Sequence, residues 1–315
     1  MPADIRSTVV VVTWRGRAHI TACLDALQVQ TRPHRLLVVD NASDDGTAAL
    51  LKAHPSGPRV LRTRRNLGYA GALHQVLPLV ETEFVAWCND DSQPETGWLA
   101  ELEKALDADS AAAAVSARLL SPAGRVQTVG VGLTGGGYGH DLTSSVTGEV
   151  FGFCGGSALL RTAALRAVGG VPAGFFCYYE DTDTAWRLRL AGWRVRSAPL
   201  ATAVHLHGAS TEPGSARFHR WNERNRLLMV LRCAPGFAAI LEPLRFLAIT
   251  ALLPVRRALG RQVPDTPNFR PGLRLRVLAG VLIRLPGTLR ARTRISALAT
   301  VRRTTVWAQW VGKNT

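Results

Sequence analysis

Leu36-Leu37-Val38-Val39-Asp40-Asn41-Ala42-Ser43-Asp44-Asp45-Gly46 decides the fold. An apolar run too short for a helix ends on an acid and breaks into a polar turn. A helical stretch, Thr47–His54, follows. A continuous run rich in β-branched residues reads as a strand buried on both faces. Working outward, the same alternation recurs. Val9–Thr13 is a strand followed by a helical stretch, Ile20–Gln28; Val60–Arg62 is a third short strand; Leu73–Glu81 reads as a helix and Phe84–Cys88 as another strand. Strands alternating with helices predict an α/β fold with a mostly parallel central sheet flanked by helices. In such sheets ligands bind beyond the carboxyl ends of the strands, so chemistry is expected there.

Two predicted strand ends carry acids: Asp40, and Asn89-Asp90-Asp91 after Phe84–Cys88. Hard divalent cations take oxygen ligands, so Asn89-Asp90-Asp91 could give one carboxylate to a metal and another to the ribose or sugar, while Asp40 suits a nucleoside; the first could equally be a turn that caps the next helix and the second a turn acid. Glu180-Asp181-Thr182-Asp183 follows an aromatic group, Phe175–Tyr179. Acids at a helix start are stabilised by the helix dipole, while aromatic surroundings that exclude water would raise a carboxyl pKa, as a general base requires. His205 and His207 could complete a metal shell or lie on one face of a strand. Gly130–Gly139 matches neither a dinucleotide fingerprint nor a phosphate loop, and reads as a loop or tight hairpin. Glu180–Ala191 is a helix closed by Gly192.

The chain has 315 residues, 47% hydrophobic and 19% charged, enough for a sizeable core. Its five cysteines (23, 88, 154, 177, 233) include no CxxC pair, which argues against a disulfide framework or a cysteine-built zinc site and points to a reducing compartment. Thr8–Thr13 is too short for a signal segment. The best membrane-span candidate, Phe246–Val255, is about half the ~20 residues a span needs. Net charge is +15, and from Pro243 onward there are fourteen basic residues and one acid, Asp265. Prolines 243, 254, 264, 267, 271 and 286 are expected to cut this tail into short basic amphipathic helices. Such helices, with Trp307 and Trp310 at headgroup level, suit an anionic membrane surface; the alternative is a helical subdomain packed on the main body. The expected division is therefore 1–235 for the α/β domain and 236–315 for a basic helical segment.

Taken in order, the motifs resemble the inverting family 2 glycosyltransferases of GT-A fold, in the branch containing rhamnosyl- and galactofuranosyltransferases. The resemblance is carried by Val38–Thr47, Asn66-Leu-Gly-Tyr-Ala-Gly71, Asn89-Asp-Asp91, Gly155–Arg161, Phe175–Asp183 with Gly192-Trp193, His205 to Ser210, and Arg224-Asn225. It implies a nucleoside-diphosphate sugar donor, a glycan or lipid-linked acceptor, and Mg2+ or Mn2+ as cofactor. It also implies roles. Asp181 is the general base with Glu180 beside it. Thr13, Trp14, Asp40, Asn66, Gly68, Asn89 and Asp90 bind the donor. Gly155, Gly156 and Tyr179 serve the acceptor side. Asp91 and His205 hold the metal, His205 being preferred to His207 for its distance from Ser210. Asn89 departs from the usual acid at the first position of the metal motif, and Thr184 stands where the family often has Leu.

With the basic tail, these roles predict an enzyme working peripherally at the cytoplasmic face of a membrane. Three other functions fit the sequence less well. A nucleotidyltransferase would carry an early Gly-rich phosphate loop, which Thr13-Trp-Arg-Gly-Arg17 matches poorly. A nucleic-acid binder using the tail lacks zinc or RNP-like patterns, so no nucleic-acid partner is expected. A non-catalytic sugar-nucleotide binder would not need the intact acid set.

Overall fold

The computed structural model describes residues 5–144, 148–206, 212 and 214–313. His207 and Ser210 lie outside the described residues. Eleven strands are present among the described residues: β1 (Ser7–Thr13), β2 (His34–Asp40), β3 (Arg59–Arg62), β4 (Phe84–Asn89), β5 (Ser92–Pro94), β6 (Ala112–Leu120), β7 (Val126–Thr128), β8 (Val131–Leu133), β9 (Gly139–Asp141), β10 (Ser157–Arg161) and β11 (Arg194–His205). The helices are α1 (Ile20–Gln28), α2 (Thr47–Ala53), α3 (Gly68–Val76), α4 (Trp98–Asp107), α5 (Thr162–Ala167), α6 (Glu180–Leu190), α7 (Ala216–Cys233), α8 (Gly236–Ala258), α9 (Pro271–Leu298) and α10 (Arg303–Trp310).

The main sheet runs β3-β2-β1-β4-β10-β6-β11-β5, with β7 on β6. β3, β2, β1 and β4 are parallel. β10 then enters antiparallel between β4 and β6, so the second half of the sheet is mixed. Side chains alternate between two cores: Val10, Val12, Leu37, Val39 and Trp87 face one, and Val9, Val11, Val38, Phe84 and Cys88 face the other. Burial on both faces is why these strands read as unbroken apolar runs.

Register explains why scattered motifs meet. Thr13 pairs with Asp40 and Val12 with Asn89, so the carboxyl ends of β1, β2 and β4 lie at one edge. Ser157 pairs with Cys88, so the reversed β10 brings its amino end, and Gly155-Gly156 before it, to that same edge. His205 pairs with Ser92, placing the end of β11 there too.

Locally, the structure adds a strand, moves a helix, and gives a hairpin where a loop or tight hairpin is expected. Ser157–Arg161 is a further strand. The Leu73–Glu81 helix instead starts at Gly68 and ends in a 3-10 turn at Leu77–Leu79. Gly130–Gly139 spans the β8–β9 hairpin. All five cysteines are free.

The tail differs most. α8 runs 23 residues through Pro243 and Pro254, and α9 runs 28 through Pro286. Each proline removes one donor, but tertiary contacts keep the helices continuous. Arg274 in α9, for instance, donates to the Phe246 carbonyl and to Thr250 Oγ1. α8 is therefore long and apolar enough to cross a membrane by length and composition, at a mean hydropathy of 1.7, although a third of that window is buried in the fold. Phe246–Val255 lies mostly in its carboxyl-terminal half. Trp310 is packed inside the fold, while Trp307 is half-buried and meets Phe237 edge-on at 5.8 Å. Trp310 is 6% exposed, with the Arg189 guanidinium 4.0 Å over its ring and Phe151 against its edge, and Trp307 lies against Trp186. An indole with aromatic and cationic partners inside the fold stays there.

Candidate active site

The strand ends open into a cavity of about 630 Å3, lined from β1, β4, β11, the loop before α6, and the first turns of α7. On the β4 side, Asn89, Asp90, Asp91 and His205 line it. Asp91 Oδ1 lies 3.2 Å from His205 Nε2, both side chains nearly buried. Burial opposes ionisation of Asp91, but the imidazole beside it holds the carboxyl below the ordinary range. Asp90 is different: burial pushes it up to about 7, although it accepts a 2.6 Å hydrogen bond from Thr13 Oγ1. Asn89 Nδ2 lies 3.2 Å from His205 Nε2.

The opposite wall carries the acids of α6. The Asp181 carboxylate accepts from the Gly155 N–H at 2.9 Å and from Thr182. Burial raises its pKa, against these hydrogen bonds. Glu180 is raised further, by burial and then by the Asp181 charge, and its buried Oε2 has no hydrogen-bond partner among the described residues. The preceding turn is strained: Phe176, Tyr178 and Tyr179 all have left-handed φ, near +70°. Asn225 holds that turn, donating to the carbonyls of Phe175, Cys177 and Tyr178 at 2.8–2.9 Å. Gly68 packs beneath it at φ +72°, where an added Cβ would lie 2.2 Å from the Phe176 oxygen. The Asn66-Leu-Gly signature is thereby explained by close approach of backbone.

The predicted residues divide. Trp14, Asn66, Gly68, Asn89, Asp90, Asp91, Gly155, Gly156, Glu180, Asp181 and His205 share the cavity. Thr13 is fully buried and reaches it only through Asp90. Asp40 is also fully buried and does not line the cavity; its carboxylate is taken up by the Ser43 N–H and the Arg62 guanidinium. Tyr179 lines a small adjoining pocket with His140 and Asp141, and its hydroxyl accepts from the Gly139 N–H at 3.3 Å. Sequence reasoning missed Asn41, which bonds Asn66 Oδ1 and the Leu67 N–H. It also missed Tyr69, whose hydroxyl donates to the Gly155 carbonyl at 2.6 Å. Both stand inside quoted motifs, so the signal was present. Arg217, Phe218 and Trp221 of α7 also line the cavity, with the Phe176 ring tilted 40° against Trp221 at 4.7 Å, and no motif marks them.

A divalent cation fits this cavity only in part through protein ligands. Among the described residues no three His, Cys, Asp or Glu side chains cluster. Asp91 and His205 supply two, and a Mg2+-type ion commonly completes its shell with substrate phosphates and water.

The sequence profile of glycosyl transferase family 2 matches residues 8–169. The chain belongs to that family. Within it, the chain falls in the rhamnosyltransferase-like branch. It is 28% identical over 243 residues to the N-acetylglucosaminyl-diphospho-decaprenol L-rhamnosyltransferase of Mycobacterium tuberculosis, covering 66% of this chain and 78% of that protein. Over 91 residues it is 36% identical to a galactofuranosyltransferase of Mycolicibacterium smegmatis, covering 27% and 30% of the two chains. Its fold is similar to that of a Pyrobaculum calidifontis mannosyltransferase solved with GDP-Man and Mn2+, with TM-score 0.55, 19% identity, and 95% and 89% of the two chains covered. It is also similar to S. aureus TarS solved with UDP, with TM-score 0.53, 19% identity, and 97% and 91% covered. The family 2 chain is thus a glycosyltransferase of GT-A fold.

Proposed function

We propose that this glycosyltransferase moves a sugar, rhamnose being the leading candidate, from a nucleoside-diphosphate donor to a hydroxyl of a glycan or lipid-linked acceptor, with inversion. The observation that carries this is the shared cavity: Asp181, with its burial-raised pKa, lies in the same space as the Asp91–His205 pair. Residues 1–235 form the transferase domain in this reading.

Asp181 accepts the acceptor proton as its oxygen attacks the anomeric carbon. The Gly155 N–H and Thr182 hold the carboxylate in one orientation, so no reorientation is needed at the moment of transfer. Glu180, whose pKa burial and the Asp181 charge raise, would donate a hydrogen bond on the acceptor side in its protonated form. Asn66, Gly68 and Trp14 border the nucleotide, with Asn41 fixing Asn66. Asp40 acts indirectly, shaping the β2 turn. Mg2+ or Mn2+ on Asp91 and His205 would neutralise charge gathering on the leaving diphosphate. In this reading the enzyme works peripherally at the cytoplasmic face of a membrane, beside its acceptor.

The test is a donor panel with purified protein, Mn2+ or Mg2+, and UDP-, dTDP- and GDP-sugars, read by thermal shift and nucleoside diphosphate release. A metal-dependent response to one donor, lost in Asp91→Ala, is expected. Asp181→Asn should lower turnover ~10²–10⁴-fold while keeping the thermal shift. Near-normal turnover in Asp181→Asn would falsify the base assignment.

A further inference from the structure

α8 presents two opposed faces. Ala239, Glu242, Phe246, Thr250 and Leu253 recur at three- and four-residue spacing and are buried against the body. On the other side Phe237, Ile240, Leu241, Leu244, Leu252 and Val255, each 52–64% exposed, form a second face, with exposed Ala248 on the turn between Leu244 and Leu252. An apolar file this long on the outside of a fold marks a contact surface. Exposed Arg245 lies near its middle, and exposed Arg256, Arg257 and Arg261 gather at its carboxyl end.

Charge selects the occupant. The chain from Pro243 onward carries a net +13, so a second copy docked on this face would bring a like charge against it. An anionic lipid surface complements both features, accepting apolar side chains below the headgroups and arginines among them. Spanning is disfavoured. It would pull away the buried face, where Glu242 pairs with Arg226 at 3.0 Å and Arg274 caps the Phe246 carbonyl.

We propose that α8 lies in the interface plane of an anionic bilayer, with the Phe237–Val255 file inserted and the body outside. The assignment is independent of the sugar-transfer reading. It moves the membrane contact from the tryptophans of α10 to the outer face of α8.

Flotation with vesicles of phosphatidylglycerol and phosphatidylcholine in equal parts, or of phosphatidylcholine alone, tests it with the full chain. Binding to the anionic vesicles, at least tenfold weaker in I240E/L244E, is expected. Because both positions are solvent-facing, the variant should keep the wild-type melting temperature and secondary structure, and a second variant, R256S/R257S, should lose binding through charge alone. A Phe237→Trp reporter should shift its emission to the blue on anionic vesicles and be quenched by brominated lipid chains. Equal flotation of I240E/L244E and wild type would overturn the proposal. So would equal binding to both vesicle types, or a concentration-dependent dimer in sedimentation that the same substitutions abolish.

Discussion

Gln127 and His205 hold each other twice. Gln127 Nε2 donates to the His205 carbonyl at 2.9 Å, and Gln127 Oε1 lies 2.9 Å from His205 Nδ1. The first bond fixes which end of the amide faces the ring, so Nδ1 carries the proton and donates. The lone pair of neutral His205 is therefore on Nε2, the nitrogen 3.2 Å from Asp91 Oδ1. Two such acceptor atoms in contact favour a cation between or beside them, either the proton through which the imidazole holds Asp91 ionised or a metal ion. A partner that fixes the tautomer and orientation of a metal-ligating histidine typically contributes 10–100-fold in affinity. Gln127→Ala is predicted to weaken Mn2+ binding to the donor complex by about that factor, measured by titration calorimetry or by the loss of free-Mn2+ paramagnetic signal. Gln127→Glu, which keeps the acceptor for Nδ1, should retain more of it. Unchanged affinity in Gln127→Ala would remove His205 from the metal shell or Gln127 from its support.

Activity should fall with acid at a higher pH than an ordinary aspartate would give. A base must be ionised, and burial raises the pKa of Asp181 while Glu180, raised further, sits beside it. As pH drops through these raised values the pair takes up a proton and the base is lost. The acid limb of kcat/KM is expected above pH ~4, the unperturbed aspartate value. Glu180→Gln removes the neighbouring titration and should leave an acid limb of one proton, that of Asp181. A limb at or below pH 4 would contradict a desolvated base.

The same burial predicts a stability cost. A carboxyl whose folded pKa is raised favours the folded state at low pH, and that contribution is lost as pH rises through the folded value. Glu180 has a buried oxygen with no hydrogen-bond partner among the described residues, so its ionised form is poorly held. Glu180→Gln should therefore stabilise the protein by about 1–2 kcal/mol near pH 8, less at pH 5, while lowering turnover. Thermal unfolding at the two pH values checks it. Equal or lower stability at pH 8 would show that Glu180 is not held at a cost.

Much of this was legible because strands buried on both faces leave unbroken apolar runs, and Asp40, Asn89 and Asp91 sit where such runs stop. The crossing of β10 was not legible: Ser157–Arg161 is five residues long, and only its pairing with β4 makes it a strand. Asp40 looked like a ligand contact because sequence cannot show that Arg62, on the next strand, already takes its carboxylate. Phe218 and Trp221 were invisible because α7 meets the cavity only through tertiary packing. In the tail, proline spacing suggested breaks, but Arg274 and its neighbours hold α8 continuous.

Asn225 should matter to catalysis without touching substrate. Its amide nitrogen serves three carbonyls of a turn in which Phe176, Tyr178 and Tyr179 are held left-handed, and Arg224 adds a bond from Nη2 to the Phe175 carbonyl at 2.7 Å. Non-glycine residues in that region cost on the order of 1 kcal/mol or more each, so the turn relaxes unless it is tied. Glu180 and Asp181 follow it directly, and relaxation would move both. Asn225→Leu is expected to lose about 1–3 kcal/mol of stability, the cost of leaving buried carbonyls unpaired. A structural loss alone would scale activity with the folded fraction. Loss of positioning predicts more: at a temperature where the variant is fully folded, kcat drops at least tenfold, while the donor thermal shift survives because Asn66 and Asp91 stand on other elements. Asn225→Gln, which keeps the donor on a longer stem, should recover part of kcat. If folded Asn225→Leu turns over at the wild-type rate, the turn holds itself and the clamp is only packing.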